Sequence, residues 1–331
     1  MNLQARIKGF VALGHQLSDP NNTLLNEAKL EAYRQNAWFL PEFIDQAILQ
    51  INEQFLQQTA LEAWTATYPS ISIEATNLKV GIVMAGNIPL VGFHDLLSTL
   101  IVGHTAVVKR SSKDQVLMDF IIKSLIEINP AFGEQISVQE QLKNCDAYIA
   151  TGGNTAGNYF EYYFGKFPHI IRKNKTSIAI LDGSETLSEL AALADDCMLY
   201  YGMGCRNVTQ IWVPEGYDFI PFLNALKKYN YLLDQHKYKH NYDYQLALLM
   251  MGKKLYMDSG GVLMSENPSP FAAISQIHYQ QYKLSAMPKL NMDEIQCVVG
   301  KNQLPFGSLQ KPLLAQYADG VDSLAFLSSL K

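Results

Sequence analysis

The segment KVGIVMAGNIPLVGFHDLLSTLIVGHTAVVKRSS, residues 79–112, decides the fold. It opens with an apolar run ending in Gly86, the pattern of a strand buried on both faces of a parallel sheet. GNIP interrupts the run, and FHDLLSTLIVG reads as a helix with Gly103 as its C-cap. TAVVKRSS is a second buried strand. A strand, a helix and a strand in so short a span form a βαβ unit, which commits the chain to a parallel sheet.

Downstream the same grammar repeats. KDQVLMDFIIKSLIEIN (113–129) is an amphipathic helix ended by Pro130, and ISVQE (136–140) is a weak strand. CDAYIATGG (145–153) is a strand that runs straight into a helix start, NTAGNYFEYYFG (154–165). TSIAILDG (176–183) is another buried strand. A helix follows over 184–202, with Thr186 and Glu189 spaced as a capping box. VTQIWVP (208–214) is a strand, and a long helical stretch runs from Asp218 to Met251. KKLYMDSGGVLMSEN (253–267) fits a hairpin, 274–283 and 295–301 fit strands, and 317–330 closes as a helix. Upstream, Leu24, Leu25, Ala28, Leu30, Tyr33 and the run Phe43–Phe55 recur at helical spacing. The expectation is a doubly wound α/β protein with a helical N-terminal part. A boundary near Lys175 divides residues 1–175 from 176–331, although no Pro/Gly/Ser linker marks it.

Composition narrows the function classes. Of 331 residues, 48% are hydrophobic and 17% charged, enough to bury a large core, which excludes a disordered binder. A net charge of −5 gives no basic footprint for nucleic acid. No stretch reaches the ~18 apolar residues of a membrane span. The start, MNLQARIKGFVALGHQLSD, reads as a folded helix and not a signal peptide. Cys145, Cys197, Cys205 and Cys297 form no CxxC pair, so no metal site or disulfide framework is expected, and reduced thiols fit a cytoplasmic protein.

Four places carry candidate chemistry. In YYGMGCRNVTQIWVP, Cys205 sits between a helix and a strand, behind Gly202 and Gly204. That junction is open to a substrate and suits a thiol nucleophile, with Arg206 adjacent. A free cysteine is more often a buried small hydrophobe, and Cys145, Cys197 and Cys297 fit that description. In VMAGNIPL, Asn87 lies just past the carboxyl end of a parallel strand, where its amide can donate to an oxyanion or simply shape a turn. Lys109 ends the next strand, within reach of a ribose or phosphate, or is an ordinary solvated lysine. Thr151, Gly152 and Gly153 lead into a helix whose first N–H groups suit a pyrophosphate, although the string is neither GxGxxG nor a Walker loop.

In joint order, the Asn turn, strand-end Lys, TGG helix start and Gly-X-Gly-Cys resemble the aldehyde dehydrogenase superfamily. Within it the chain is most similar to the acyl-CoA reductases related to the fatty acid reductase of bacterial luminescence. GNIPLVGFHDLL, HTAVVKRSS, IIRKNKTSIAILDG, YYGMGCRNV, DEIQCVVG and PFGSLQ carry the likeness, from about Leu78 onward. The resemblance implies two doubly wound α/β domains with the active site between them. Residues 1–175 would hold N-terminal helices plus an NAD(P)-binding Rossmann-like domain, and 176–331 the catalytic thiol. It implies Cys205 as nucleophile and Asn87, with the Cys205 N–H, as oxyanion hole. It implies Lys109 on the adenosine ribose, Thr151–Gly153 at the pyrophosphate, and Glu294 on the nicotinamide ribose.

Three departures refine the expected activity. Hydrolytic relatives carry a deacylating glutamate at a position that falls near Ile171, and no carboxylate lies between His169 and Leu181. Coenzyme A as leaving group fits that gap, unless Glu161 or Glu266 supplies a carboxylate. NAD-selective relatives carry a glutamate where Ser112 stands here, flanked by Arg110 and Lys113, which favours the 2′-phosphate of NADPH and leaves NADH as the alternative. The chain is also shorter than typical relatives, which unsettles the expected homo-oligomer. The aromatic stretch NYFEYYFGKFPH lines an acyl channel or packs a helix. The implied activity is NADPH-dependent reduction of long-chain acyl-CoA to fatty aldehyde, with an acyl-protein synthetase or acyl carrier protein as partner. The alternatives are an acyltransferase or thioesterase without hydride transfer, another aldehyde dehydrogenase, or a non-catalytic module that binds a nucleotide or acyl carrier protein.

Overall fold

A computed structural model describes residues 1–71, 76, 78–286 and 288–330. In chain order its elements begin with four helices, α1 (Leu3–Ser18), α2 (Thr23–Gln35), α3 (Pro41–Phe55) and α4 (Gln58–Ala66). The α/β part follows as β1 (Lys79–Val83), α5 (Phe93–Val102), β2 (Thr105–Lys109), α6 (Gln115–Ile128), α7 (Ala131–Gln135) and β3 (Ile136–Val138). It continues through β4 (Ala147–Thr151), α8 (Asn154–Phe164) and β5 (His169–Arg172). A second series holds β6 (Thr176–Ile180), α9 (Leu187–Met198), β7 (Val208–Pro214), α10 (Ile220–Leu226) and α11 (His236–Met251). It ends with β8 (Tyr256–Asp258), β9 (Leu263–Glu266), β10 (Gln276–Tyr282) and β11 (Ile295–Gly300), before a last helix, α12 (Ser323–Ser329).

The chain divides into two compact units. One is Met1–Asn174 with Pro312–Lys331, the other Lys175–Lys311. Along the chain the two units meet at Lys175, and residues 312–331 group with the first unit. Leu314, Tyr317, Leu324 and Leu327 are buried in the core of the first unit, among Phe10, Trp64, Leu97 and Ile101. The apolar side chains of α12 have a core to fill there, so residues 312–331 complete the first unit.

The first unit contains a parallel sheet in the order β3-β2-β1-β4-β5. Val83 pairs with Lys109, and Thr151 pairs with Arg172, so the strands end level at their carboxyl edge. The chain moves outward from β1 to β3, then returns to start β4 on the other side of β1. That reversal is a topological switch point, the place where open α/β sheets bind ligands. β5 was not anticipated. It is four residues long and carries a histidine and an arginine, too short and too polar to read as a strand.

The second unit has a six-stranded sheet, β11-β6-β7-β10-β9-β8, parallel except for the hairpin partner β8. The capping box at Thr186 and Glu189 forms as expected, and Gly103 ends α5 in the left-handed region at φ 100°. Two helical expectations change. The stretch 218–251 breaks into α10, a 3-10 segment and α11, and the helix expected to reach Gly202 stops at Met198. Among the described residues, no helix is long and apolar enough to cross a membrane.

Candidate active site

The first unit gathers six of the eight singled-out residues at the carboxyl edge of its sheet. Asn87 follows β1 in a half-buried turn, and Lys109 ends β2. Lys109 Nζ donates to the carbonyl of Glu140 at 2.7 Å, and Ser112 is exposed in the next loop. The Asn87 turn and this loop are packed together. A Cβ built on Gly86 would come within 2.4 Å of Ser111 Oγ, so only glycine lets the two backbones approach. Arg110 forms an ion pair with Asp119 of α6. The basic character that the sequence gives the Ser112 loop therefore rests on Lys113, which is exposed.

Thr151 ends β4, beside β1 at the switch point, and Gly152 and Gly153 lead into α8. The two glycines differ. A Cβ on Gly152 would lie 2.9 Å from Ala156 and 3.0 Å from Phe160, while a Cβ on Gly153 would meet nothing within 4 Å. Gly152 lets the helix start close to its own first turn. Gly153 keeps open space over the helix N-terminus, where unpaired N–H groups attract an anion. Exposed Lys109 and Ser112, with an open helix start, fit a dinucleotide.

Sequence reasoning missed the support beneath this edge. Arg172, at the end of β5, bonds Asp95 Oδ2 at 2.6 Å and Thr151 Oγ1 at 3.3 Å. Both partners of the ion pair are under 10% exposed. Breaking such a buried pair costs about 3–5 kcal/mol, because the remaining charge is stranded. One signal was available: Asp95 is the only acid in the helix FHDLLSTLIV, which is rich in apolar residues, and a buried carboxylate needs a cation.

The second unit holds Cys205 and Glu294, both at the amino edge of its sheet. Strand β6 lies between their strands and touches both backbones. Thr176 N–H donates to the Glu294 carbonyl at 3.0 Å, and Ser177 Oγ donates to the Cys205 carbonyl at 3.0 Å. The Glu294 carboxylate accepts from Asn291 Nδ2 at 3.1 Å. Cys205 is half-buried, whereas Cys145, Cys197 and Cys297 are buried. Burial pushes the thiols of those three above the ordinary range, which makes them poor nucleophiles. Arg206, adjacent to Cys205 in sequence, directs its guanidinium to Cys297 Sγ at 3.4 Å.

The loop before Cys205 has an unusual backbone. Tyr200, Tyr201 and Gly202 have successive φ values of 55°, 57° and 75°, all left-handed. For the two tyrosines this costs about 1–2 kcal/mol each. The buried side chain of Asn207 holds the loop in place. Its Nδ2 donates to the carbonyls of Asp196 and Leu199, each at 2.9 Å, and its Oδ1 accepts from Gly204 N–H at 2.8 Å. Asp196 in turn accepts from Gly307 and Leu309 N–H at 2.6 and 3.1 Å, which ties the PFGSLQ segment to α9. Burial pushes that carboxyl up to about 6.

Comparison with known proteins now adds to this geometry. The profile of the Acyl-CoA reductase (LuxC) family matches residues 15–225. The chain is 23% identical over 205 residues to long-chain acyl-protein thioester reductase 2 of Photobacterium leiognathi, covering 56% of this chain and 42% of that protein. It is also 23% identical over 206 residues to the long-chain acyl-protein thioester reductase of Aliivibrio fischeri, covering 57% and 40%. The matches thus span less than half the length of these relatives. Among solved structures, an indole-3-acetaldehyde dehydrogenase complexed with NAD+ superposes with a TM-score of 0.63 at 14% identity, over 86% of this chain and 68% of that one. An aldehyde dehydrogenase of Mycobacterium tuberculosis complexed with NAD+ gives 0.61 at 13% identity, over 86% and 69%. The fold is that of the aldehyde dehydrogenases.

Proposed function

Because this chain belongs to the acyl-CoA reductase (LuxC) family, we propose that it reduces a long-chain acyl thioester to the aldehyde, with Cys205 as nucleophile. The observation that carries the reading is the contrast among the thiols: three are buried, and Cys205 alone is half-buried, on a loop braced by Asn207 and Ser177. Acyl-CoA is the donor we favour, and an acyl-protein is the variant that the relatives' names suggest. A synthetase or acyl carrier protein would then be the partner. Reduced thiols suit the cytoplasm.

The Cys205 thiolate attacks the thioester carbonyl. The Asn87 amide and the Cys205 N–H donate to the oxyanion, a contribution worth roughly 100- to 1000-fold in rate per donor. The C–S bond to coenzyme A breaks, the coenzyme A thiolate takes up a proton, and a thioacyl-enzyme remains. When bound, the nicotinamide nucleotide supplies a hydride to the acyl carbon. The thiohemiacetal collapses, aldehyde leaves, and the Cys205 thiolate is regenerated. Lys109, Ser112, Thr151–Gly153 and Glu294 hold the nucleotide, which we take to be NADPH on the strength of Ser112 and Lys113. Water would compete poorly for the thioester, since the stretch near Ile171 carries no deacylating glutamate. Glu161 lies near His169 and Lys173, at 3.7 and 4.0 Å.

The test is NADPH oxidation with a panel of acyl-CoA chain lengths, with NADH alongside. Aldehyde formed by the wild type and lost in Cys205→Ala supports the scheme. Coenzyme A release that needs Cys205 but consumes no nucleotide would move the protein to the transferase or thioesterase class. Aldehyde formation by Cys205→Ala would remove the thiol mechanism.

A further inference from the structure

The turn that carries Asn87 is pinned to the loop after β2 by one carboxylate. Leu90, buried, has a left-handed φ of 57°, and its N–H donates to Asp114 Oδ2 at 2.7 Å. Asp114 stands at the N-cap of α6, yet its side chain accepts no bond from that helix. Capping its own helix is the ordinary use of an aspartate at this position. Asp114 is only 3% exposed, and its Oδ1 has no hydrogen-bond partner among the described residues. A residue that breaks its local rule and buries a half-satisfied carboxyl is a candidate for a task elsewhere in the fold. The same loop also meets the turn where Ser111 abuts Gly86, and Asn36 Nδ2 steadies it through the Lys113 carbonyl at 3.2 Å.

We propose that Asp114 is a positioning residue for the Asn87 amide, and that it joins the nucleotide loop Lys109–Lys113 to the oxyanion turn Gly86–Leu90 as one body. The proposal rests on the reading of Asn87 given above. An L-residue leaves the left-handed region unless something holds it there. The Asp114 bond holds Leu90, and Leu90 closes the turn that carries Asn87. Ligand that stiffens the nucleotide loop therefore stiffens the oxyanion turn, so donor placement and nucleotide occupancy are coupled.

Hydrogen–deuterium exchange over residues 86–92 tests the pinning without reference to turnover, and steady-state kinetics with dodecanoyl-CoA and NADPH test its use. In Asp114→Ala the amides of the turn should exchange at least about 10-fold faster, and added NADPH should no longer slow them. Asp114→Asn, which keeps an acceptor oxygen, should stay within about 3-fold of wild type. kcat should fall roughly 10- to 100-fold in Asp114→Ala at nearly constant KM, recover in Asp114→Asn, and fall no further when Asp114→Ala is added to Asn87→Ala. Asp114→Leu, of similar bulk and without an acceptor, serves the same comparisons should the alanine variant not fold. Unchanged exchange in the turn overturns the proposal, as does an equal loss of kcat with and without the Asn87 amide. Full kcat in Asn87→Ala would instead remove the oxyanion reading, while the exchange data would still decide whether Asp114 pins the turn.

Discussion

Asn207 satisfies the carbonyls of Asp196 and Leu199 and the N–H of Gly204 with one side chain, so its loss strands three backbone groups. Asn207→Ala should cost about 3 kcal/mol in urea denaturation and blunt the reactivity of Cys205 toward a thiol reagent. Asn207→Asp should be at least as harmful despite its shape, because an oxygen would then face two carbonyl oxygens. Asp114 gives a pH signature of its own. Burial raises its carboxyl from 3.8 to about 8, so the unfolded chain releases the proton long before the folded one does. Stability contributed by this group falls as pH rises from about 4 to 8. Asp114→Asn should remove that slope in denaturation curves taken across the interval.

At the level of elements, the sequence was most legible where local chemistry suffices. The Gly103 cap, the Thr186–Glu189 box, and the apolar runs of β1, β2, β4, β6 and β7 stand where hydrophobic period and cap residues place them. It was least legible where distant groups decide. Nothing in LYYG stops a helix before Gly202; the carbonyls that end α9 turn instead toward Asn207, which belongs to the next strand's approach. β5 owes its place to the pairing of Tyr148 with His169 and to a buried ion pair with Asp95 of α5, neither of which has a local pattern. For the candidate site, Asp95 left a trace as a lone acid in its helix, whereas the partners of Arg172, Asp114 and Asn207 lie far along the chain and have no local pattern. The start of α8 makes a separable prediction. Gly153→Ala should leave the melting temperature nearly unchanged, since the added methyl meets nothing, yet weaken nucleotide binding by intruding on the anion's approach. Gly152→Ala should cost stability outright, by crowding Ala156 and Phe160. Calorimetric melting and nucleotide titration of both variants separate the two roles.

For the whole molecule, the returning tail is the governing feature. Tyr317 accepts from Trp64 Nε1 at 2.8 Å and shares a hydroxyl contact of 2.7 Å with Tyr68, whose hydroxyl also donates to Asp322 at 2.8 Å. The Leu327 carbonyl accepts from His104 Nε2 at 2.8 Å, while His104 Nδ1 accepts from the Thr76 hydroxyl at 2.6 Å. The neutral imidazole uses both nitrogens, and burial holds its pKa below the usual 6.5; His278 is depressed for the same reason. Such groups contribute fully above about pH 6.5, and stability drops as pH falls through and below that value, because the unfolded chain takes up the protons first. His104→Gln should flatten this acid limb in chemical denaturation at stepped pH. Deleting residues from Pro312 onward should expose the Trp64 face and unfold the first unit. The same connectivity sets an order of events on the ribosome. The first unit is begun early but cannot close until its last strip emerges, after about 140 intervening residues have been made. At ~5–20 residues per second that is a wait of roughly seven to thirty seconds. Through that interval the apolar face around Trp64 and Leu97 stands bare to chaperones and to its neighbours on the same message.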